Sequence, residues 1–198
     1  MLTKLLNDKA TTQVISVTRK SLNLKNPKLK EVIVPDFANL MDHKDEMKGD
    51  VYFCALGTTI KTAGSKENFR KVDFDAVVNF GKVAELNKAQ SLTVVSANMA
   101  NPKSPIFYNK IKGETEQALM NMQFNRLVLL RPGLLMGDRT EKRTGEEFAI
   151  HFMDLISPIL PSKIKNNIAT NVEILTNRML KEGQNPAPKI KIINAVDI

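Results

Sequence analysis

The sequence predicts an α/β fold built on a parallel sheet, and two observations support this prediction. Short, wholly apolar runs alternate with longer segments of helical periodicity, which is typical of strands covered on both faces by crossover helices. The composition also fits, because 42% of the 198 residues are hydrophobic and 25% are charged, as in an ordinary globular protein. We therefore predict one domain over residues 1–198.

Five runs are too apolar to be half exposed, and each reads as a buried strand. The predicted strands lie near residues 13–18, 31–34, 50–55, 91–96 and 126–130.

Helical periodicity follows these strands in the second half of the chain. In residues 74–88 apolar side chains such as Val77 and Val83 recur at helical spacing, and residues 1–8 resemble the end of an amphipathic helix. The prolines at 158 and 161 separate the last two predicted helices. The remaining helices are predicted near 107–122, 145–156 and 168–182, so that the C-terminal portion, 144–198, is mainly helical.

The charge balance raises the question of anionic partners. There are 29 Lys and Arg residues against 21 Asp and Glu, a net charge of +8. The basic residues are scattered in ones and twos, Trp is absent and no zinc-finger spacing occurs, so nucleic acid is not the expected ligand. A phosphate-bearing cofactor or substrate accounts for the excess equally well.

The number and spacing of the cysteine and histidine residues argue against an internal disulfide and against a metal site. Cys54 is the single cysteine, and we interpret it as a core residue of its strand. His43 and His151 are far apart and have no ligand-type neighbours, so no metal site is predicted. The sequence shows neither a run of ~18 uninterrupted apolar residues nor a secretory signal, so cytoplasmic location without membrane association is the expectation.

Residues 94–116 carry the strongest chemical signal. Tyr108 and Lys112 are four residues apart at the start of a predicted helix, so their side chains share one face. A lysine at that distance should lower the pKa of the phenol and suit it to acid/base work on a carbonyl or alcohol. Ser96, at the end of a predicted strand, could bind the same substrate oxygen. The alternative is a surface tyrosine on a lysine-rich helix.

Several further motifs accompany this set: Val-Thr-Arg-Lys at 17–20, Val-Pro-Asp-Phe at 34–37, Cys-Ala-Leu-Gly-Thr-Thr at 54–59, and Leu-Arg-Pro-Gly-Leu-Leu-Met-Gly-Asp-Arg at 130–139. Together they resemble the atypical short-chain dehydrogenase/reductases, in particular the Tat-interacting-protein-type oxidoreductases and the NAD(P)-binding epimerase/dehydratase-like proteins. The resemblance covers nearly the whole chain, and it implies that the C-terminal portion, 144–198, lies on the substrate side. It implies a Rossmann-like, doubly wound parallel sheet and an oxidoreductase that transfers hydride between NADP(H) and a small carbonyl or alcohol substrate.

The resemblance also implies roles for individual residues. Tyr108 would donate or accept the proton, and Ser96 would orient the substrate carbonyl. Lys112 would adjust the pKa of Tyr108 and contact the nicotinamide ribose. Arg19, assisted by Lys20, would favour the 2′-phosphate of NADP over NAD. The remaining implied cofactor contacts are Asp36 and Phe37 at the adenine, Leu56, Gly57 and Thr58 at the ribose and pyrophosphate, and Pro132 and Gly133 at the nicotinamide. For Arg19 the alternative is an exposed strand-end arginine, and for Pro132 and Gly133 it is an ordinary turn.

The family's first strand and glycine-rich phosphate loop are not in this sequence. Without that loop, dinucleotide affinity should fall steeply, and the sheet should keep two apolar edges without partners. Three explanations are open: a truncated translation, a natural member that has lost cofactor binding, or a rearranged strand pairing. We favour truncation, because the other motifs are intact.

A second class of function follows from the same observation. The chain could be a non-catalytic module that senses NAD(P) or binds a regulatory protein. The long helices near 74–88 and 107–122 also resemble those through which related proteins form homodimers.

Overall fold

A computed structural model describes residues 1–136, 169–185, 187 and 189–198. Strands and helices alternate along these ranges, as the sequence predicts. The strands are β1 (Val14–Thr18), β2 (Leu29–Ile33), β3 (Val51–Cys54), β4 (Ser91–Val95), β5 (Arg126–Arg131), β6 (Leu134–Met136), β7 (Ala169–Asn171) and β8 (Lys189–Asn194). The α-helices are α1 (Leu2–Asn7), α2 (Ile60–Ala63), α3 (Lys66–Arg70), α4 (Val77–Leu86), α5 (Phe107–Met120) and α6 (Val172–Gly183).

Short helical segments of other types complete the described elements. A 3₁₀ helix spans Phe37–His43 and a second one spans Ala195–Asp197. A π-helical segment, Lys71–Ala76, joins α3 to α4 without a break.

All strand pairs in the described residues are parallel, and they form three sheets. β1 pairs with β2, and β6 pairs with β7. The main sheet has the order β3-β4-β5-β8, with Leu92 opposite Leu127 and Leu127 opposite Ile190. The predicted α/β class with a parallel sheet is thereby confirmed.

The five predicted strands all form, within one or two residues of the predicted bounds. β4 and β5 lie in the middle of the main sheet, and almost every residue in them is buried. Leu92, Leu127 and Leu129 are fully buried in the core beneath α4 and α5. Their continuous apolar sequence therefore reflects coverage on both faces.

The predicted helices agree as far as the structure describes them. The helix predicted near 74–88 is helical from Lys66 through Leu86, in three consecutive segments. The helix predicted near 107–122 is α5, and the amphipathic segment at 1–8 is α1. The helix predicted near 145–156 lies outside the described residues.

The C-terminal portion contains strands that the sequence pattern did not predict. Of the predicted helix 168–182, the first residues form β7 and the rest form α6. β8, with the sequence Lys-Ile-Lys-Ile-Ile-Asn, extends the main sheet beside β5. In the described residues the alternating positions Ile190 and Ile192 are exposed, whereas Lys191 is half-buried and Ile193 is buried. Residues 169–198 thus add sheet as well as helix.

Two strand edges have no partner among the described residues. β1 pairs only with β2, and β3 pairs only with β4, within the part of the chain that the structure describes. A cavity of about 950 Å³ lies between β1 and β3. The described residues therefore show no rearranged pairing that closes the sheet.

Candidate active site

Ser96 follows β4 directly and is buried. Its backbone N–H donates to the carbonyl of Leu130, 2.7 Å away, which continues the pairing of β4 with β5 past the strand end. Its side-chain oxygen is buried and has no hydrogen-bond partner among the described residues. A buried hydroxyl without a partner is uncommon, so the Ser96 side chain is a candidate for contact with a ligand.

Tyr108 and Lys112 lie one turn apart on α5, and both side chains are buried. The Lys112 ammonium is 6.0 Å from the centre of the Tyr108 ring. Tyr108 packs in one cluster with Phe69, Ile111 and Ala97, the residue after Ser96. The structure thus brings the predicted catalytic residues to one region at the carboxyl end of β4, and it excludes the alternative of a surface tyrosine.

Gly113 allows α5 to approach the loop that precedes it. A side-chain carbon at this position would lie 2.2 Å from backbone atoms of Asn101 and Pro102. The Asn101 N–H also donates to the carbonyl of Asn109 at 3.0 Å. The loop between Ser96 and Tyr108 is therefore fixed against the helix that carries Tyr108 and Lys112.

Asp73 belongs to this cluster although the sequence analysis does not single it out. It lies in the π-helical segment and is fully buried. One carboxylate oxygen is 2.7 Å from the Lys112 ammonium, and the other accepts the Thr58 N–H at 2.8 Å. Its backbone carbonyl accepts from the Thr115 hydroxyl at 2.9 Å. Asp73 thus joins α5 to the loop after β3.

A signal for Asp73 does exist in the sequence. It falls three and four residues before Ala76 and Val77, on the buried face of the helical segment. A carboxylate on an apolar helix face needs a buried partner of opposite charge. π-helical segments are also frequent at functional sites.

The structure corrects the expected direction of the Tyr108 pKa. Burial raises the pKa of the phenol above 10.0, and the Asp73 carboxylate adds to this effect. The Lys112 charge lowers it, as expected from the spacing, but by less than burial raises it. The prediction failed because burial depends on tertiary packing that the four-residue spacing does not reveal. Tyr108 therefore holds its proton at neutral pH.

Lys112 remains charged in spite of its burial. Burial by itself would lower the pKa of this ammonium, but Tyr108 and Asp73 together outweigh it and raise the pKa. The site consequently contains a protonated phenol beside an ion pair. That arrangement suits the donation of a proton and the stabilisation of the phenolate left behind.

The loop after β3 contains three of the implied cofactor residues. At Gly57 a side-chain carbon would lie 3.3 Å from an Asp73 oxygen and 3.6 Å from the Lys112 ammonium, so glycine lets the loop approach the ion pair. Leu56 is half-buried and lines the cavity between β1 and β3. The Thr58 N–H, expected to face the ribose and pyrophosphate, is instead bonded to Asp73.

Four further implied cofactor residues follow β1 and β2. Arg19 and Lys20 follow β1 and are exposed, with no ion pair to a described carboxylate. Asp36 caps the 3₁₀ helix by accepting the Ala38 N–H at 2.9 Å, and Phe37 lines the same cavity as Leu56. Of these four residues, which follow β1 and β2, only Phe37 lines the cavity.

Pro132 and Gly133 are buried between β5 and β6. The Pro132 carbonyl accepts the Asn98 N–H at 3.0 Å, and the Gly133 N–H donates to the Thr170 hydroxyl at 3.1 Å. These hydrogen bonds hold the segment between β5 and β6 near the loop that follows Ser96. Pro132 and Gly133 therefore lie near the loop that follows the predicted catalytic residue Ser96, and the same hydrogen bonds fit the alternative of an ordinary turn.

The described residues contain no cluster of three or more His, Cys, Asp or Glu side chains arranged to hold a metal ion. His43 pairs with Glu46 at 2.8 Å, and His151 lies outside the described residues. Cys54 is buried and free, as predicted.

Comparison with known proteins identifies the family. The chain is 30% identical over 186 residues to Protein HTATIP2 of Rattus norvegicus, covering 92% of this chain and 76% of that protein. It is 35% identical over 146 residues to the mitochondrial Protein FMP52 of Candida albicans, covering 65% of this chain and 64% of that protein. No protein-family model matches the chain.

Solved structures support the fold independently. MoeE5 in complex with UDP-glucuronic acid and NAD matches with a TM-score of 0.71 at 14% identity, covering 98% of this chain and 71% of that one. The dTDP-4-dehydrorhamnose reductase of Bacillus anthracis, in complex with NADP, matches with a TM-score of 0.61 at 13% identity, covering 94% and 76%.

The fold is thus that of the Rossmann-like NAD(P)-binding enzymes, as predicted. The chain belongs to the HTATIP2/FMP52-like family of atypical short-chain dehydrogenase/reductases. The name of the Candida relative places that protein in mitochondria, so the comparisons do not support the predicted cytoplasmic location. None of the helices in the described residues is long and apolar enough to cross a membrane.

Proposed function

We propose that the chain is an NADP-dependent oxidoreductase that transfers hydride between NADP(H) and a small carbonyl or alcohol substrate. One observation carries this proposal: the unpartnered, buried hydroxyl of Ser96 lies in the same region as buried Tyr108 and the Lys112–Asp73 ion pair. A neutral acid, a fixed positive charge and a free hydrogen-bond donor are the groups that carbonyl reduction requires.

Each side chain has a definite part in the reduction. Ser96 donates its hydroxyl hydrogen to the substrate carbonyl and orients it. Tyr108 gives its proton to the same oxygen. A nicotinamide bound beside Pro132 and Gly133 would supply the hydride to the carbonyl carbon. The product is an alcohol, and the phenolate left on Tyr108 is stabilised by the Lys112 ammonium.

Asp73 acts through Lys112 and is a positioning residue. Its ion pair fixes the ammonium beside Tyr108, and its bond to the Thr58 N–H fixes the loop after β3. The negative charge also keeps the phenol protonated before the reaction, because it opposes ionisation of a neighbouring group.

The proposed nucleotide site uses residues on both sides of the cavity. Arg19 and Lys20 are exposed, and no described carboxylate forms an ion pair with them, so their charges are available to a 2′-phosphate. Phe37 and Leu56 line one cavity and would border the nucleotide together with Asp36 and Gly57. The Thr58 hydroxyl would contribute there, and Pro132 and Gly133 would lie at the nicotinamide.

Replacement of Tyr108 by phenylalanine tests this function. A panel of small aldehydes and ketones is incubated with NADPH, and consumption of NADPH is followed by absorbance. We expect turnover by the wild-type chain and by Tyr52→Phe, since Tyr52 donates to the Met47 carbonyl in the core and is not part of the site. Tyr108→Phe should bind NADPH normally but lose turnover. Retained turnover would remove Tyr108 from the mechanism.

A second candidate is a non-catalytic NAD(P)-sensing or protein-binding module. It is favoured by the edges of β1 and β3 that have no partner among the described residues, because unpaired strands accept partner strands. NADPH binding without turnover of any substrate in the panel would support it. A homodimer through α4 and α5, or a regulatory protein partner, belongs to the same proposal.

A further inference from the structure

Each end of β5 carries an arginine that pairs with a buried glutamate. At the amino end, Arg126 lies 2.5 Å from Glu182 of α6. At the carboxyl end, Nε and Nη2 of Arg131 donate to the two carboxylate oxygens of Glu116 on α5, at 2.9 and 2.5 Å. A two-point bond of this kind fixes the relative position of its partners, because the guanidinium fork is planar and rigid.

Arg131 lies between two residues whose backbone holds the segment that follows β4. The Leu130 carbonyl accepts the Ser96 N–H at 2.7 Å, and the Pro132 carbonyl accepts the Asn98 N–H at 3.0 Å. The backbone around Arg131 is thus bonded to the segment that carries Ser96, whereas its side chain is bonded to α5. This one residue therefore connects the end of β4 to the helix that carries the other two predicted catalytic residues.

Glu116 lies one helical turn after Lys112, on the same face of α5. Tyr108 is eight residues before Glu116, a distance of about 12 Å along the helix axis. The Glu116 side chain is therefore too far along the helix to touch a substrate at the phenol, but its bond to Arg131 sets where α5 lies along β5. A shift of α5 would move Tyr108 and Lys112 relative to Ser96.

We propose that Glu116 and Arg131 are positioning residues, which set the place of the Tyr108 phenol relative to the Ser96 hydroxyl. The proposal rests on the oxidoreductase function proposed above, in which both groups act on one substrate oxygen. A displacement of about 1 Å can lower the rate of such a reaction about 100-fold without any change in the reacting groups. The apolar contacts of α5 constrain sliding less than the fork does, because apolar burial is non-directional.

The loop after Ser96 reports a displacement of α5 without any nucleotide or substrate. The Asn98 N–H bonds this loop to Pro132 at the end of β5, and the Asn101 N–H bonds it to α5. The acceptor on α5 is the Asn109 carbonyl, 3.0 Å away. Both bonds persist only while α5 and β5 keep their relative position, so hydrogen exchange at these two amides measures it.

Two matched arginine variants test the proposal. Arg131→Lys and Arg126→Lys each keep a positive charge and remove the fork from one end of β5. Arg126 also donates to the carbonyls of Glu182 and Ala187, so its variant should be at least as unstable in urea as Arg131→Lys. The comparison thus separates loss of position from loss of stability.

The two variants should differ in kinetics and in hydrogen exchange. In Arg131→Lys we expect kcat for an aldehyde or ketone of the panel to fall on the order of 100-fold, with KM changed by less than about threefold. Exchange at Asn98 or Asn101 should quicken at least about tenfold in this variant alone. Arg126→Lys should keep kcat within about twofold of the wild type and instead quicken exchange at the Lys189 N–H, which is bonded at 3.1 Å to the residue before Arg126.

A double variant, Glu116→Met with Arg131→Met, separates folding from position. It leaves no buried charge without a partner, so the urea midpoint should return toward that of the wild type. We expect kcat to stay low, because two apolar side chains do not reproduce the directional bond of the fork.

Unchanged kcat and unchanged exchange in Arg131→Lys would overturn the proposal. An equal loss of kcat in Arg126→Lys would also overturn it, because the loss would then follow stability. Recovery of kcat together with stability in the double methionine variant would show that the fork is dispensable. If the wild-type chain reduces no substrate of the panel, the oxidoreductase function fails by itself, and the exchange pattern alone decides whether the pair positions α5.

Discussion

The Lys112 ammonium lies 2.7 Å from the Asp73 carboxylate, and the two side chains are 7% and 0% exposed. This pair joins α5, which carries Tyr108, to the π-helical segment that holds the loop after β3. Removing one partner would leave the other charge buried without compensation, so the pair stabilises the fold at the candidate site.

Asp73→Asn should destabilise the fold strongly. The variant leaves the Lys112 charge buried, and we expect the free energy of unfolding to fall by about 3–5 kcal/mol in urea titrations. The matched control is Glu67→Gln, which breaks the exposed ion pair with Lys71 and should leave stability unchanged. Lys112→Met added to Asp73→Asn should recover most of the loss. Equal effects of the Asp73 and Glu67 variants would contradict the role of the buried pair.

Tyr108 should ionise only above the ordinary tyrosine range. The chain has two tyrosines and no tryptophan, so tyrosinate absorbance in a Tyr52→Phe background reports Tyr108 alone. Burial raises the pKa of this phenol above 10.0, so the folded state holds the proton more tightly than the unfolded state. The resulting stabilisation is complete below about pH 10 and is lost as the pH rises through the folded-state pKa.

Tyr108→Phe in the same background is the control, because it should lack that part of the alkaline loss of stability. A Tyr108 pKa at or below 10 in the folded chain would show that the Lys112 charge outweighs burial after all.

Ser96→Ala and Ser91→Ala should behave in opposite ways. The Ser96 hydroxyl has no partner among the described residues, so its removal should change stability by less than about 1 kcal/mol while it lowers turnover. The Ser91 hydroxyl donates to the Gly183 carbonyl at 2.5 Å, so its loss should cost about 1–3 kcal/mol without a direct effect on turnover. Thermal unfolding and NADPH consumption measure the two effects. Strong destabilisation by Ser96→Ala would indicate a structural hydroxyl.

Gly113→Ala should displace the loop before α5. Its new methyl group would lie 2.2 Å from the backbone of Asn101 and Pro102, so stability should fall by at least about 1–3 kcal/mol and turnover should fall with it. Gly49→Ala is the control, because no atom lies within 4 Å of the added carbon. If the two variants unfold at the same urea concentration, the close approach of α5 to the loop does not hold in solution.

The strands and long helices were predictable from the sequence because they are wholly apolar or strictly periodic. β4 and β5 are buried on both faces, and strands buried in this way have nearly continuous apolar sequences. β8 was not predicted, because alternate lysines interrupt its apolar pattern.

The sequence predicts only part of the candidate site. Tyr108, Lys112 and Ser96 follow from local spacing and strand ends, whereas Asp73 reaches Lys112 across 39 positions of sequence. The direction in which the Tyr108 pKa shifts depends on burial by Phe69, Ile111 and other packing partners, which only the fold brings together. Spacing therefore predicted which groups meet but not how deeply they are buried.

Titration of the folded chain with NADPH and NADH, by calorimetry and nicotinamide fluorescence, tests the proposed function most directly. The same titration with Arg19→Ala serves as the control for 2′-phosphate recognition. We expect saturable binding that favours NADPH in the wild-type chain and loses that preference in Arg19→Ala. Binding of neither nucleotide, in a chain shown to be folded, would contradict an NADP-dependent oxidoreductase.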